Sequence, residues 1–171
     1  MKVGHVVSVT NYIVHEAPVG RSSSNYLAMV DLAPYGFAGS LEQIWLRPLE
    51  GNGYGVSCIP FRVYGLALND VVILDPEGGK NIIEVLSPSG HRVFRVFLAP
   101  SLSVSELYEM RNLITFSTIE DALKSEWSGD RHVAIDVPLG REVGRVWPAI
   151  ENAAAEEKLY WEWGDVEAFR R

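Results

Sequence analysis

No feature narrows the fold of this chain more than the rhythm of residues 42–99, where short apolar runs alternate with turn signals. Residues 42–49 read as a strand, with Ile44, Leu46 and Pro48 alternating against Trp45 and Arg47. The Gly51-Asn52-Gly53 stretch that follows supplies the positive-φ residues a tight hairpin requires, and residues 54–61 return as the partner strand. Residues 71–74 form a further strand, closed by Asp75-Pro76-Glu77-Gly78-Gly79. Residues 81–86 form another, closed by Ser87-Pro88-Ser89-Gly90. The longest runs over residues 91–99, with Phe94, Val96 and Leu98 on one face and Val93, Arg95 and Phe97 on the other. Successive hairpins of this kind predict an antiparallel meander, curled into a partly open barrel. An upstream strand is expected at 25–33, between loops at 15–24 and 34–40.

Past Pro100 the period changes from two to that of a helix. Ser103 and Glu106 form a capping box, in front of a helix that places Val104, Leu107 and Tyr108 on one face. Ser117 and Glu120 repeat the pattern and predict a second helix, with Ile119, Ala122 and Leu123 as its stripe and Gly129-Asp130 at its end. Residues 131–137 read as a strand with Val133, Ile135 and Val137 on one side. A third helix is expected over 145–157, with Pro148 in its first turn, where no helical N–H is needed. Residues 158–163 close as a strand in which Leu159, Trp161 and Trp163 alternate with Tyr160 and Glu162. The expected fold class is therefore α+β. An N-terminal β-meander or partly open barrel (25–90) is joined to a C-terminal ferredoxin-like α/β two-layer sandwich (91–171) that shares the strand 91–99. Residues 1–24 are an N-terminal extension.

Composition sets the outer bounds. With 171 residues, 47% of them apolar, the chain can bury a core without a metal or disulfide staple. The net charge is −7, and no basic stripe is available to neutralise phosphates, which argues against nucleic acid as a partner. The acidity is uneven: residues 101–171 hold 8 basic and 14 acidic groups, against 7 and 8 in residues 1–100. No apolar run approaches the length of a membrane span, and His5, Ser8 and Asn11 interrupt a stretch too short for a signal-peptide core. Cys58 is the only cysteine and sits in an apolar run, which predicts a buried, inert thiol and suits a reducing cytoplasm.

The usual catalytic signatures are missing from the sequence: no phosphate loop, dinucleotide fingerprint or nucleophile elbow is present. His5, His15, His91 and His132 follow no zinc spacing and read as structural or surface residues. No metal, no cofactor and no catalytic residue is expected, and the chain reads as a non-enzyme. His132 and Asp136 share one face of a strand about 13 Å apart, able to line one site but not to hydrogen-bond directly. The carboxylates of Glu156, Glu157, Asp165 and Glu167 read as a solvated surface.

Residues 42–72 carry a distinctive pattern: a Trp-containing strand, Ile59-Pro60-Phe61-Arg62-Val63-Tyr64-Gly65, and Asp70-Val71-Val72 at a strand start. With Ser89-Gly90-His91 and Ala134-Ile135-Asp136-Val137-Pro138, this resembles an uncharacterised bacterial family of domains of unknown function, over residues 25–165. The resemblance implies no catalytic residues; similar small proteins are read as immunity proteins beside secreted toxins. The motif also has a structural reading. Pro60 suits an edge, Gly65 a sharp bend, Asp70 a loop cap, and Phe61 and Tyr64 packing beneath the loop.

These readings converge on a cytoplasmic, non-enzymatic protein-binding module, an immunity protein that neutralises a cognate toxin with a cationic cleft. Its expected partner-binding residues are Glu151, Glu156, Glu157, Tyr160, Trp161, Glu162 and Asp165, an acidic surface with aromatic anchors. The alternative is a small-molecule-binding sensor or regulatory domain.

Overall fold

A single long strand organises the first sheet. In the computed structural model, which describes residues 11–171, β3 (Ser40–Pro48) pairs antiparallel with β2 (Tyr26–Asp31) along one edge. Its other edge is divided between β1 (Asn11–Ile13), which runs parallel to it, and β4 (Tyr54–Val56), which returns antiparallel through the Asn52-Gly53 turn. β5 (Val71–Leu74) and β6 (Ile82–Ser87) continue the meander. The sheet curls until Met29 and Asn81 form one bridge and the Tyr26 hydroxyl donates to the Gly79 carbonyl at 2.5 Å. One bridge is not a ladder, so the barrel does not close. Val30, Ile44, Leu46, Val56, Val72 and Ile82 form this half's core.

The strand expected over 54–61 stops at Val56. Residues 57–70 leave the sheet as an irregular but largely buried segment. Pro60 has no N–H to give a ladder, and buried carboxylates take the neighbouring N–H groups instead. Asp70 closes the segment as expected, accepting from the Ala67 N–H at 2.8 Å and from the Ser89 N–H at 2.6 Å.

The second half runs β7 (Arg92–Leu98), α1 (Val104–Glu120), β8 (Lys124–Ser128), β9 (His132–Val137), α2 (Val146–Ala155) and β10 (Leu159–Trp163). Its sheet has the order β10-β7-β9-β8 and every neighbour is antiparallel. The two helices share one core with Phe94, Val96, Leu98, Val133 and Ile135. β7 pairs as a strand only within this sheet and is not shared with the first; what it offers the first half is its opposite face.

The helix expected to start at Ser117 does not exist as a separate element. Ser103 and Glu106 make the expected capping box, and α1 then continues unbroken to Glu120 because no glycine or proline interrupts residues 104–120. Ser117 is buried inside it. The residues that follow are strand β8, and Gly129-Asp130 lies at a hairpin joining it to β9. Trp127 thereby sits on a strand, and Glu120 pairs with Arg145 at 3.4 Å. α2 begins with Pro148 in its first turn, as its sequence requires. Among the described residues, no helix is long and apolar enough to cross a membrane.

Residues 11–24 of the extension reach into the join between the halves, where His15 and Pro18 are buried. Residues 1–10, which include His5, lie outside the described structure.

Candidate functional site

The helix-free face of the second sheet carries the unusual chemistry. Directly paired residues of an antiparallel sheet share a face, so the register defines its rows. One row is Tyr160, Phe97, His132 and Ser128; the next is Glu162, Arg95, Ala134 and Glu126; the third includes Val93, Asp136 and Lys124. Arg95, Glu126, His132 and Asp136 are all buried there. Buried charge is expensive unless paired, so these groups draw partners from both halves or, in the case of His132, stay neutral.

Two carboxylates have such partners in full. Glu42 of β3 accepts from the backbone N–H groups of Phe61 (2.6 Å), Arg62 (2.7 Å) and Val63 (3.0 Å). Glu126 of β8 accepts from Val19 (3.0 Å) and Ile59 (2.9 Å). His15 lies between them, its Nδ1 2.5 Å from Glu126 and its Nε2 3.3 Å from Glu42, with its ring stacked on Phe61 at 4.3 Å. Burial alone would lower the imidazole pKa, but the Cys58 sulfur and the two carboxylates hold it well above 6.5. Burial would likewise raise the Glu42 pKa, and His15 with the Phe61 N–H brings it below its ordinary value instead. The result is a cationic imidazole clamped between carboxylates of the two sheets. Cys58, beside it, is fully buried; its thiol pKa is pushed up by burial and its sulfur accepts from the Trp45 N–H at 3.3 Å. This cluster holds the halves together and offers no open position for chemistry.

A cleft of about 220 Å³ opens beside the clamp. Its floor is Arg95, Phe97 and His132, its rim Arg62 and Tyr64 from the irregular segment, and its outer wall Phe37, Tyr160 and Glu162. Arg95 is only 2% exposed. Its guanidinium lies 4.8 Å over the Tyr64 ring, donates to Glu162 at 3.2 Å and also donates to the Val63 carbonyl. Its Nε has no partner among the described residues. The Tyr64 hydroxyl donates to the other oxygen of Glu162 at 2.7 Å, and burial with that contact pushes its pKa up to about 12. One carboxylate thus serves both groups.

Besides the Arg95 Nε, two groups in the cleft are left over. His132 is 3% exposed and its Nδ1 has no partner among the described residues. Burial, with Arg62 and Arg95 nearby, pushes its pKa down to about 2, so the ring is neutral. Arg62 is the second. Its backbone N–H is bound by Glu42, but its guanidinium lies 5.5 Å from the Phe37 ring centroid and 5.9 Å from that of Phe97, with no carboxylate in contact among the described residues. Within the lining, two guanidiniums face one carboxylate, and Glu42, behind the rim, acts on Arg62 only through space.

The residues expected to bind a partner are distributed over both faces of the second sheet. Tyr160 and Glu162 face the cleft. Trp161 packs on the helix side against Phe94 (5.6 Å) and Trp147 (5.0 Å), with its edge at the cleft mouth. Glu151 lies on α2, with Glu156 and Glu157 just beyond its end, all exposed, and Glu156 is engaged by Lys158 at 2.7 Å. Asp165 receives two hydrogen bonds from Arg92, at 2.8 and 3.1 Å. His132 and Asp136 do share a face, but Asp136 takes its hydrogen bond from His91, at 2.8 Å. Arg62, Arg95, Glu42 and Glu126 were not singled out from sequence. One signal was available: Arg95 is a charge embedded between Val93 and Phe97 in a strand apolar on both faces.

A family model for a domain of unknown function, DUF4265, matches residues 42–163. The chain belongs to the DUF4265 family. The match begins at Glu42, one arm of the histidine clamp, and ends at the last residue of β10, so every strand lining the cleft lies inside the DUF4265 region. A solved structure, described as a novel crystal structure of a hypothetical protein from Neisseria gonorrhoeae, is similar with a TM-score of 0.61. The alignment covers 88% of this chain and 99% of that one at 14% identity, a likeness of fold alone. No curated protein matches the sequence.

Proposed function

We propose that this DUF4265 protein is a non-enzymatic binding module whose site is the cleft between the two halves, and that the cleft takes a small organic anion. The observation that carries the reading is the Arg62 guanidinium, which has no carboxylate in contact, at the rim of a cleft floored by the buried His132 ring. A guanidinium beside a cavity with no carboxylate in contact points to an anion that supplies one. The same reading takes the β10-β7-β9-β8 order, with both helices on one face, as a ferredoxin-like sandwich whose bare face is the ligand floor. The cleft groups bind and orient; no nucleophile with an adjacent base lines it. Ligand-observed NMR with anionic, neutral and cationic molecules of similar size tests this. Anions should bind, and Arg62→Gln should weaken them at least tenfold. Unchanged binding in that variant rejects the site.

A protein partner is the second reading, and one observation favours it: Glu151 on α2 and Glu157 just beyond its end are both exposed. A cognate toxin with a cationic cleft would be steered by these charges. Reversing both should slow association with the toxin encoded beside this protein; an unchanged rate removes this reading.

A further inference from the structure

Resting on the cleft as an anion site, we infer that its ligand is an aromatic monocarboxylate: one flat ring carrying a single carboxylate that sits between the Arg62 guanidinium and the His132 imidazole. Charge sets the valence. Glu162 already pairs with Arg95, so Arg62 is the one guanidinium of the lining with no carboxylate in contact; it can take one carboxylate, and a dianion would leave a surplus charge to bury. Volume sets the size. A cavity of about 150 Å³ accommodates benzene, so about 220 Å³ holds a ring with a carboxylate but not a nucleotide.

The walls set the shape. Phe37, Phe97 and Tyr160 present apolar ring surface, and Arg62 already lies against two of these rings, so a further ring extends a stack that exists. The donors set the headgroup. A guanidinium matches the two oxygens of a carboxylate, and the neutral His132 ring carries one N–H, which serves the carboxylate from Nε2, the nitrogen that is not sealed inside the protein. The lining contains no helix N-terminus and no glycine-rich loop, the devices that cradle phosphate. His132 is faced by Arg62 and Tyr64 from the irregular segment, Arg95 from β7, and Tyr160 and Glu162 from β10; the His15 clamp lies behind Phe61.

The test uses the whole protein and four probes: phenylacetate, its neutral amide phenylacetamide, phenyl phosphate and inorganic phosphate. Affinity is measured by calorimetry, and the His132 ring nitrogens are followed by long-range proton–nitrogen NMR. Phenylacetate should bind, shift the His132 Nε2 signal, and beat both phenylacetamide and phenyl phosphate at least tenfold. Arg62→Gln should abolish the difference between acid and amide, and Arg62→Lys should restore part of it, with unfolding midpoints unchanged in both. Stronger binding of either phosphate probe, still dependent on Arg62, overturns the carboxylate and leaves the anion cleft standing. Equal binding of acid and amide, or a silent His132 with every probe, overturns both.

Discussion

Glu42 shows how one side chain can replace a strand. Its two oxygens take three consecutive N–H groups of Phe61, Arg62 and Val63, holding the irregular segment where a ladder would otherwise be needed. Phe61, pinned by that bond, is fully buried and stacks on His15. Phe61→Ala should therefore cost about 3–5 kcal/mol, measured by urea unfolding; a loss of under about 1 kcal/mol would mean that the ring is not core. Gly65 is constrained from two directions. Its φ is +66°, and a Cβ there would collide with the backbone of Ala168 and Phe169. Gly65→Ala should destabilise by more than about 1 kcal/mol and increase amide exchange at residues 168–169. Slow, unchanged exchange there would contradict this packing. The bend at Gly65, the cap at Asp70 and the burial of Phe61 were legible in the sequence, because each follows from a residue's own backbone or side-chain chemistry. The carboxylate that organises them was not, since a Glu at a strand start looks like any solvated one.

At the scale of elements, the antiparallel meander and the strand–helix alternation followed from periodicity, and the errors have local causes. A Ser-x-x-Glu pattern caps a helix only where a helix begins; inside α1 the same four residues are one turn among others, with Ser117 turned inward. Lys124–Ser128 has a single apolar residue, Trp127, and so no strand period to read; it falls inside the expected helix, which hides Glu126 on the sheet's inner face. α1 itself is apolar on both sides: Leu107 and Ile114 are buried, whereas Phe116 and Ile119 are each 65% exposed. Ile114→Ala should cost about 2–5 kcal/mol, and Phe116→Ser should stay within about 0.5 kcal/mol. Chemical denaturation of the two variants side by side checks the orientation of the helix; equal losses would reverse it.

At the scale of the molecule, two buried histidines set opposite pH limits. The His15 pKa is raised above 6.5, so its contribution is complete below that pH and is lost as pH rises through the folded value. The His132 pKa is lowered to about 2, so the unfolded chain takes up a proton below 6.5 that the folded protein refuses, and stability falls as pH drops. Glu42, whose pKa is lowered, adds a further loss as pH falls below 4.5. Urea unfolding across pH should show a maximum near 6.5, and His132→Phe should flatten the slope between 4.5 and 6.5. An unaltered slope in that variant would show that His132 titrates normally. The strand order carries a second prediction. β7 lies between β9 and β10, so a fragment of residues 101–171 leaves those strands without their common partner and should be unfolded by circular dichroism. A cooperative melt of that fragment would refute it.

Sequence alone determined the α+β class, most strand positions, the first capping box and the start of the third expected helix, all of which depend on periodicity and turn chemistry within a few residues. It also marked Tyr160, Trp161 and Glu162 as a stretch worth attention, though only two of them face the cleft. Tertiary structure decided the rest. The His15 clamp joins residues 27 and 111 positions apart in the chain, and the cleft draws on five separate segments. Whether a buried Arg, His or Glu is satisfied depends on what the other sheet brings against it, and no local pattern records that.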